Sequence, residues 1–364
     1  MARWDTERCA GTPLRHRAAA DSASVFTRKQ DPMQQTEENP VPARPKVMLI
    51  ATGGTIAGRS ASSTDTTDYI PGQVSGKDLI DAIPEIADVA RVEVRQFLNV
   101  ASPDLTNVHL LDLARLVRGY AEDETVAGIV ITHGTSTTEE TALFLDLVIK
   151  TPKPVIVVGA MRPASAISAD GSLNLLQAVA LAISPSARHR GVMIVSNDRI
   201  GSALYTSKGH SQAVDAFRSY DAGYLGVFVG IQPRFFFAPA AVCGLPYFDL
   251  GGIAALPRVD ILYSHQDEDP GYIDHAIASG ARGIVVAGTG NSTVSKPMER
   301  RIDRAMAEGT PVVRASRTGA GFVSARSEGI AAGFYNPQKA RMLLALAIQA
   351  GASIRTIETY FIPE

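Results

Sequence analysis

The sequence has little of what marks several classes of protein. It contains two cysteines, Cys9 and Cys243, too few for a disulfide framework, so a reducing compartment is compatible with it. The formal net charge of −2 gives no electrostatic basis for nucleic-acid binding. No apolar run approaches the roughly 20 residues that a membrane span requires. We therefore expect a protein that contacts neither nucleic acid nor membrane.

The first 45 residues lack an apolar periodic pattern and are rich in Arg, Ala, Ser, Thr, Gln and Pro. They also lack the apolar segment of a secretory signal. We expect this segment to be disordered or to be an over-extended start, because Met33 opens a shorter plausible reading frame. The missing signal leads us to expect a cytoplasmic protein.

From residue 46 onward, apolar runs alternate with helical patterns. The order strand, polar turn, helix, strand predicts an α/β fold with a mostly parallel sheet and helices on both faces. We assign this larger domain to residues 46–237. Residues 238–257 are rich in Gly and Pro and are expected to form a linker. A smaller α/β domain is predicted over residues 258–364.

One apolar run ends abruptly in Thr52-Gly53-Gly54-Thr55. A continuous apolar run followed by glycines is typical of a buried parallel strand that leaves the sheet through a sharp turn. Thr55 then lies just past the carboxyl end of the strand, where ligands bind in open α/β sheets. Neither a dinucleotide-binding fingerprint nor a P-loop is present. The alternative is a tight turn whose threonines only satisfy backbone groups.

Two more predicted strands are followed by polar residues. One strand ends at Thr132 and leads into Thr135, and the strand before it leads into Ser102. Because the carboxyl ends of parallel strands meet at one edge of a sheet, we expect Thr55, Thr135 and Ser102 to lie together. Several such residues brought together by topology can form a site, whereas a single one is unremarkable.

Lys208 is the candidate base for such a site. A threonine hydroxyl is a poor nucleophile at neutral pH and needs an oriented base or a lowered pKa. A lysine can be that base where burial and neighbouring groups depress its pKa. Lys208 lies in a Gly- and Ser-flanked stretch of a chain that has few lysines. Considered alone, a lysine in such a stretch is more often a solvated surface residue.

Four motifs, in this order, resemble those of the bacterial L-asparaginase/glutaminase family. Each is moderately specific alone, and their joint occurrence from about Lys46 to the end of the chain carries the resemblance. The motifs are residues 51–58 (ATGGTIAG), 131–142 (ITHGTSTTEETA), 159–175 (GAMRP with SADGSLNL) and 336–341 (NPQKAR).

The resemblance implies a two-domain α/β protein that hydrolyses a side-chain amide without a metal or an organic cofactor. It also implies a homotetramer built from tight dimers, with each site completed by the neighbouring subunit. Thr55 would be the nucleophile that forms an acyl-enzyme, with Tyr69 on a mobile loop as its hydroxyl partner. Thr135 and Lys208 would serve proton transfer.

The same resemblance indicates how the substrate would be held. Amide hydrolysis needs a nucleophile, a proton donor for the departing ammonia and backbone donors for the oxyanion, and glycine-rich strand exits supply such donors. Ser102 would hold the substrate carboxylate. Gly54, Gly134, Ser136 and Ala160 are the other expected substrate-binding residues.

The sequence departs from the family pattern where a substrate α-ammonium is recognised. The family's aspartate after the second threonine is Ser136 here, its glutamine beside the carboxylate-binding serine is Pro103, and a C-terminal asparagine is Thr293. Losing a charged partner for a desolvated ammonium costs on the order of 2–5 kcal/mol. Residues 136–139 (STTE) also match a capping box, which predicts Ser136 as the N-cap of the following helix.

Three hypotheses follow for the function. The first is an asparaginase with weakened substrate affinity and little glutaminase activity. The second is an amidase of the same mechanism whose substrate keeps a carboxylate but lacks or masks the α-amine. The third is a catalytically silent homologue that binds a small molecule.

Overall fold

The structure, a computed structural model, describes residues 44–362. The expectation of disorder for residues 1–45 therefore falls almost wholly outside the described residues. The strands of the first part of the chain are β1 (Lys46–Gly53), β2 (Arg91–Val100), β3 (Val126–Thr132), β4 (Val155–Val158), β5 (Val192–Ser196), β6 (Arg199–Ser202), β7 (Thr206–Lys208), β8 (Phe217–Ser219), β9 (Gly226–Val229) and β10 (Gln232–Phe235). Strands β7 and β8 form a separate two-stranded ribbon, and the other eight form one sheet.

The large sheet has the strand order β10-β9-β6-β5-β4-β3-β1-β2. Strands β1 to β5 are parallel to their neighbours among these five, whereas β6, β9 and β10 pair in antiparallel fashion. In the register, Leu49 of β1 lies opposite Val94 of β2 and Val130 of β3. The carboxyl ends of these three strands therefore meet at one edge, and the predicted mostly parallel sheet is confirmed.

Helices cover both faces of this sheet. They are α1 (Gly76–Asp81), α2 (Ile86–Val89), α3 (Asn107–Glu122), α4 (Thr138–Val148) and α5 (Gly171–Ala182). Successive side chains of β1 point to opposite faces. Met48 and Ile50 pack in the core that includes α3 and α4, whereas Val47 and Leu49 pack in the core that includes α1 and α5. Burial on both faces explains the uninterrupted apolar run in β1.

The second sheet is smaller and entirely parallel. Its strands are β11 (Val259–Tyr263), β12 (Gly283–Gly288), β13 (Val312–Ser316) and β14 (Ile330–Ala331), and the helices of this part are α6 (Gly271–Ala278), α7 (Lys296–Ala307), α8 (Pro337–Gln349) and α9 (Ile354–Phe361). Helices α6 and α7 share a core with one face of this sheet. Helix α8 packs against the second sheet and also against α4, so the main core continues from one sheet to the other. Residues 238–257 contain no helix or strand, and the domain boundaries drawn there stay a prediction.

The predicted capping box before α4 is wrong. The helix begins at Thr138, and its N-cap residue is Thr137, which makes no side-chain cap hydrogen bond. A turn at Thr135 and Ser136 carries the chain away from β3 before helical geometry starts. The Thr137 hydroxyl instead donates to the carbonyl of Ser102 at 3.1 Å. Ser136 is exposed and is not the N-cap.

Helix α4 carries a buried carboxyl group, Asp146, where it packs on β5. Oδ1 of Asp146 accepts the Val192 N–H at 2.7 Å. Gly191 gives this carboxyl room, since a Cβ there would lie 2.4 Å from the same oxygen. Burial raises the pKa of Asp146 to about 7, and the hydrogen bond from Val192 opposes that shift. The carboxyl group therefore remains protonated in the folded protein at pH values where it ionises in the unfolded chain.

Because the folded-state pKa is raised, the stability that protonated Asp146 provides is lost as the pH rises from about 4 to about 7. We expect Asp146→Asn to gain stability relative to the wild type when the pH is raised from about 5 to about 8. Thermal unfolding at several pH values would measure the difference. The control is the wild type measured over the same pH values. A difference between Asp146→Asn and the wild type that stays constant with pH would contradict the prediction.

Candidate active site

The candidate site begins where β1 and β3 leave the sheet. Gly54 follows β1 with φ 80° and ψ −171°, a conformation that is essentially restricted to glycine. A Cβ on Gly54 would lie 2.4 Å from the N and Cα atoms of Gly134, which follows β3. A Cβ on Gly134 would in turn lie 2.8 Å from Oγ of Ser102, which follows β2. The three predicted strand exits are thus in direct contact.

Thr55 opens a short 3₁₀ helix, Thr55–Ala57, and is only 6% exposed. Its Oγ1 lies 2.6 Å from the hydroxyl oxygen of Tyr69. The Gly54 N–H donates to the carbonyl of Val100 at 3.0 Å, so this N–H is already engaged within the protein. Any role of Gly54 in substrate binding therefore rests on the close backbone approach that it permits.

Tyr69 lies at the end of a loop that we call the lid, residues 59–70. The lid is closed at its base by backbone hydrogen bonds in both directions between Arg59 and Ile70, at 3.1 and 2.9 Å. Gly58 permits the aromatic ring to pack closely, since a Cβ there would lie 2.8 Å from Cδ2 of Tyr69. The lid also contacts the loop after β4, where the N–H of Ile167 donates to the Ser63 carbonyl at 2.8 Å.

Lys208 ends strand β7 and is half-buried rather than fully solvated. Its Nζ donates to Oγ1 of Thr135 at 2.8 Å. Burial lowers the pKa of Lys208, and the nearby Glu139 carboxylate partly opposes this effect. The sequence alone favoured a surface lysine at this position, but the structure pairs it with a threonine of the strand-exit cluster.

His133, between β3 and the site, is fully buried. Its Nδ1 lies 2.8 Å from the Gly134 carbonyl oxygen and its Nε2 lies 2.9 Å from Oγ1 of Thr141. Burial lowers the pKa of His133 to about 4, and its hydrogen bond to Gly134 opposes that shift. The ring is therefore neutral at physiological pH. The Thr138 hydroxyl also donates to the Gly134 carbonyl, at 3.0 Å, so this turn is held from two sides.

A cavity of about 590 Å³ is lined by both hydrogen-bonded pairs, Thr55–Tyr69 and Lys208–Thr135. The residues around it come from the lid, the strand exits and the loop after β7. They are Thr55, Thr66, Thr67, Tyr69, Thr135, Ser136, Met161, Arg162, Lys208, His210, Ser211, Gln212 and Ala213. All four predicted catalytic residues and Ser136 are in this set. Ser102, Gly54, Gly134 and Ala160 are not among them.

None of the described residues around this cavity is a carboxylate, whereas Arg162 and Lys208 bring positive charge. Of the positions where the sequence departs from the family pattern, Ser136 faces the cavity. Pro103 and Thr293 are exposed elsewhere, and Oγ1 of Thr293 accepts a hydrogen bond from Arg326 at 3.2 Å. The described cavity therefore offers no anionic partner for a substrate ammonium.

Sequence reasoning did not identify Arg162 or the residues after Lys208 as part of the cavity wall. The turn that carries Met161 and Arg162 is fixed by Asp170, whose carboxylate accepts both backbone N–H groups at 2.9–3.1 Å. Asn174 donates to the Gly159 carbonyl at 3.0 Å and supports the same turn. These bonds explain why the motif joins GAMRP to SADGSLNL. The motif contains Arg162 and Asp170, but the sequence did not indicate that Arg162 would line the cavity.

Within residues 44–362, no group of three or more His, Cys, Asp or Glu side chains is arranged to hold a metal ion. No helix among these residues is long and apolar enough to cross a membrane.

Comparison with known protein families assigns both parts of the chain. The family model for the asparaginase N-terminal domain matches residues 46–240, and the model for the glutaminase/asparaginase C-terminal domain matches residues 258–361. The chain belongs to the asparaginase family. Both sheets and the candidate site lie within the matched regions of this family.

Several members of the family are similar over most of their length. The chain is 45% identical to the Schizosaccharomyces pombe protein named Probable L-asparaginase 3 over 318 residues, which is 87% of this chain and 88% of that protein. It is 42% identical to L-asparaginase 2 of Bacillus subtilis, over 87% of this chain and 86% of that protein. The crystal structure of a probable cytoplasmic L-asparaginase from Campylobacter jejuni superposes with a TM-score of 0.84 at 40% identity, and it covers 88% of this chain and all of that one.

The contact between the two strand exits can be tested at Gly54. Gly54→Ala would place a methyl group into the Gly134 backbone, and nothing lies within 4 Å of the corresponding position at the control, Gly223. Both glycines have positive φ, so both variants carry backbone strain. We expect Gly54→Ala to lower the free energy of unfolding by about 1–3 kcal/mol more than Gly223→Ala. Equal losses in denaturant unfolding would contradict the contact.

Proposed function

We propose that this protein hydrolyses L-asparagine to L-aspartate and ammonia through an acyl-enzyme on Thr55, with weak or no glutaminase activity. The observation that carries the proposal is the Thr55–Tyr69 hydroxyl pair at 2.6 Å, in the same cavity as the Lys208–Thr135 pair at 2.8 Å. Membership of the asparaginase family supports the choice of substrate. No metal or organic cofactor takes part in the proposed steps.

In the proposed first step, Oγ1 of Thr55 attacks the carbon of the side-chain amide, and its proton passes to the oxygen of Tyr69 as the phenol gives its own proton to the amide nitrogen. The C–N bond then breaks, the nitrogen leaves as ammonia, and the acyl group remains as an ester on Thr55. In the second step, water attacks the ester on Thr55, which releases the acid and returns the proton to the threonine. Thr135 and Lys208 serve the proton transfers, and the lowered pKa of the half-buried Lys208 suits this role.

The substrate would be held by residues at the same edge of the sheet. We assign the substrate carboxylate to Ser102 and the oxyanion to backbone donors at Gly134 and Ala160, while Gly54 would contribute the close backbone approach that it permits. Ser136, exposed in the cavity, would contact the α-substituent of the substrate. The four catalytic candidates all precede residue 238 and would therefore belong to the predicted N-terminal domain, residues 46–237.

The family resemblance supports two further proposals. We propose a homotetramer of two tight dimers, which light scattering of the purified protein would test. We also propose a cytoplasmic location, and fractionation of the source cells would test that. Neither proposal enters the assignment of the catalytic residues.

A second candidate function is favoured by the charges around the cavity. Ser136 replaces the family's aspartate, and none of the described wall residues is a carboxylate. An amide that keeps a carboxylate but lacks a free α-amine would therefore bind without the free-energy cost of an unpaired ammonium. Succinamate is the simplest such substrate. The proposed chemistry at Thr55 is the same for both candidates.

Ammonia release separates the candidates. We expect the purified protein to release ammonia from L-asparagine, more slowly or not at all from L-glutamine, and not at all when Thr55→Ala replaces the wild type. Release from succinamate but not from asparagine would support the second candidate. Thr55-independent release would overturn the assignment of Thr55 as the nucleophile. No release and no acylation of Thr55 by any amide would overturn the proposed activity and leave a silent binding protein.

The role of Ser136 has its own test, with an uncharged variant of the same size as control. Ser136→Asp supplies a carboxylate to the cavity, and Ser136→Asn supplies the same shape without charge. We expect Ser136→Asp to raise kcat/KM for L-asparagine at least about tenfold over Ser136→Asn, because a charged partner for a desolvated ammonium is worth several kcal/mol. Equal values for the two variants would show that charge at this position does not limit asparagine turnover.

A further inference from the structure

A lysine of the second part of the chain is buried beneath the strand that carries Lys208. Lys339, in the first turn of α8, is only 1% exposed. Its Nζ donates to the carbonyls of Leu204 and Thr206 at 2.6 and 2.7 Å, and to the Ser207 hydroxyl at 2.9 Å. All three acceptors belong to the segment that ends at Lys208. The ammonium group therefore satisfies its donors on the backbone of that segment and on one side chain beside it.

Asn336, the N-cap of α8, extends the same network. Its Oδ1 accepts the Lys339 N–H at 3.0 Å, which fixes the start of the helix. Its Nδ2 donates to the Ser207 hydroxyl at 3.1 Å and to Oε2 of Glu139 at 3.2 Å. Glu139 lies in the first turn of α4, four residues after Thr135. The network thus joins the segment that ends at Lys208 to the first turn of α4, which follows Thr135.

Stability alone is a weak reason for this arrangement. Among the described residues, Lys339 has no carboxylate oxygen within 4 Å, so a buried charge is held by neutral acceptors. Burying a lysine in this way is costly compared with an apolar side chain of similar size. Burial lowers the pKa of Lys339 to about 8, and Glu139 opposes the shift. What the arrangement does supply is a fixed backbone on one side of Lys208.

We propose that Lys339 is a positioning residue of the active site. It holds the carbonyls of Leu204 and Thr206, and through them it keeps Nζ of Lys208 within hydrogen-bond distance of Thr135. This inference rests on the proposed role of Lys208 in proton transfer. Lys339 itself is absent from the residues around the cavity and acts through the backbone that it binds.

Two variants test the inference. Lys339→Met removes the ammonium and keeps the length of the side chain, while Ser207→Ala removes one shared acceptor and leaves the buried lysine in place. Ser219→Ala is the matched control, because its hydroxyl lies on the paired strand β8 and, among the described residues, its bond is to Thr206 Oγ1 at 2.7 Å, not to Lys339. Ser207→Thr keeps the hydroxyl group and should restore the wild-type behaviour.

The first readout is the pH dependence of kcat/KM on the best amide substrate. The other charged and titratable groups around Lys208 are Tyr69, Arg162 and His210 at the cavity, Glu139 behind it, and Arg218 and Tyr220 on and after β8, and none of them is altered. Lys339→Met also removes a positive charge beside this segment, so the displacement of the limb is read first from Ser207→Ala, which leaves that charge in place. A loosened strand admits water to Lys208, which moves the ascending limb to higher pH. A smaller folded fraction would instead lower kcat/KM equally at every pH.

We expect a loss of about 100-fold in kcat/KM for Lys339→Met, with the limb displaced to higher pH, and a smaller loss for Ser207→Ala. Ser219→Ala and Ser207→Thr should match the wild type. An unmoved limb in Ser207→Ala and Lys339→Met, or an equal displacement in Ser219→Ala, would overturn the inference. If Lys339→Met does not fold, Ser207→Ala with its rescue by Ser207→Thr decides the matter.

The second readout does not depend on activity. Crystal structures of Ser207→Ala and Lys339→Met would measure the distance from Nζ of Lys208 to Oγ1 of Thr135. We expect it to exceed 2.8 Å, the value in the wild type. An unchanged distance in both variants overturns the inference. A wild type that is inactive on all amides overturns the proposed function instead, and the distance then still tests whether Lys339 positions the pair.

Discussion

The backbones of Gly54 and Gly134 touch at the carboxyl ends of β1 and β3, with no room for a side chain on Gly54. This contact sets the spacing between the segments that carry Thr55 and Thr135. Ser102 packs on the other side of Gly134, and a neutral buried histidine holds the same turn through its carbonyl. The lid and strand β7, which ends at Lys208, lie around the hydroxyls of Thr55 and Thr135. The backbone contact sets the separation of these two residues.

The four central parallel strands β1, β3, β4 and β5 could be predicted from the sequence, because strands buried on both faces produce continuous apolar runs. The adjacency of Thr55, Thr135 and Ser102 followed from parallel pairing alone. The environment of Lys208 could not be predicted, because the burial of a lysine depends on contacts made by residues far away in the chain. Glu139 and Lys339 stood inside the family motifs, yet nothing in the sequence indicated that they share a network.

The expectation for Ser136 failed for a different reason. A serine three residues before a glutamate is a local pattern. Such a pattern contains no information about the turn after β3, which carries the chain across the edge of the sheet before the helix begins. The helix consequently starts later, and Ser136 is left in the cavity. The residue that a local rule assigned to helix capping therefore lines the cavity.

Helix α8 packs on the second sheet and on α4, and its first turn holds the segment next to Lys208. Hydrogen bonds within one chain therefore connect the second part to the segment of the first part that ends at Lys208. A chimaera that combines the N-terminal part of this protein with the C-terminal part of a relative would have to preserve Asn336 and Lys339 in register with the acceptors of residues 204–207. The two halves have separate sheets, but these hydrogen bonds make the geometry of one depend on the other.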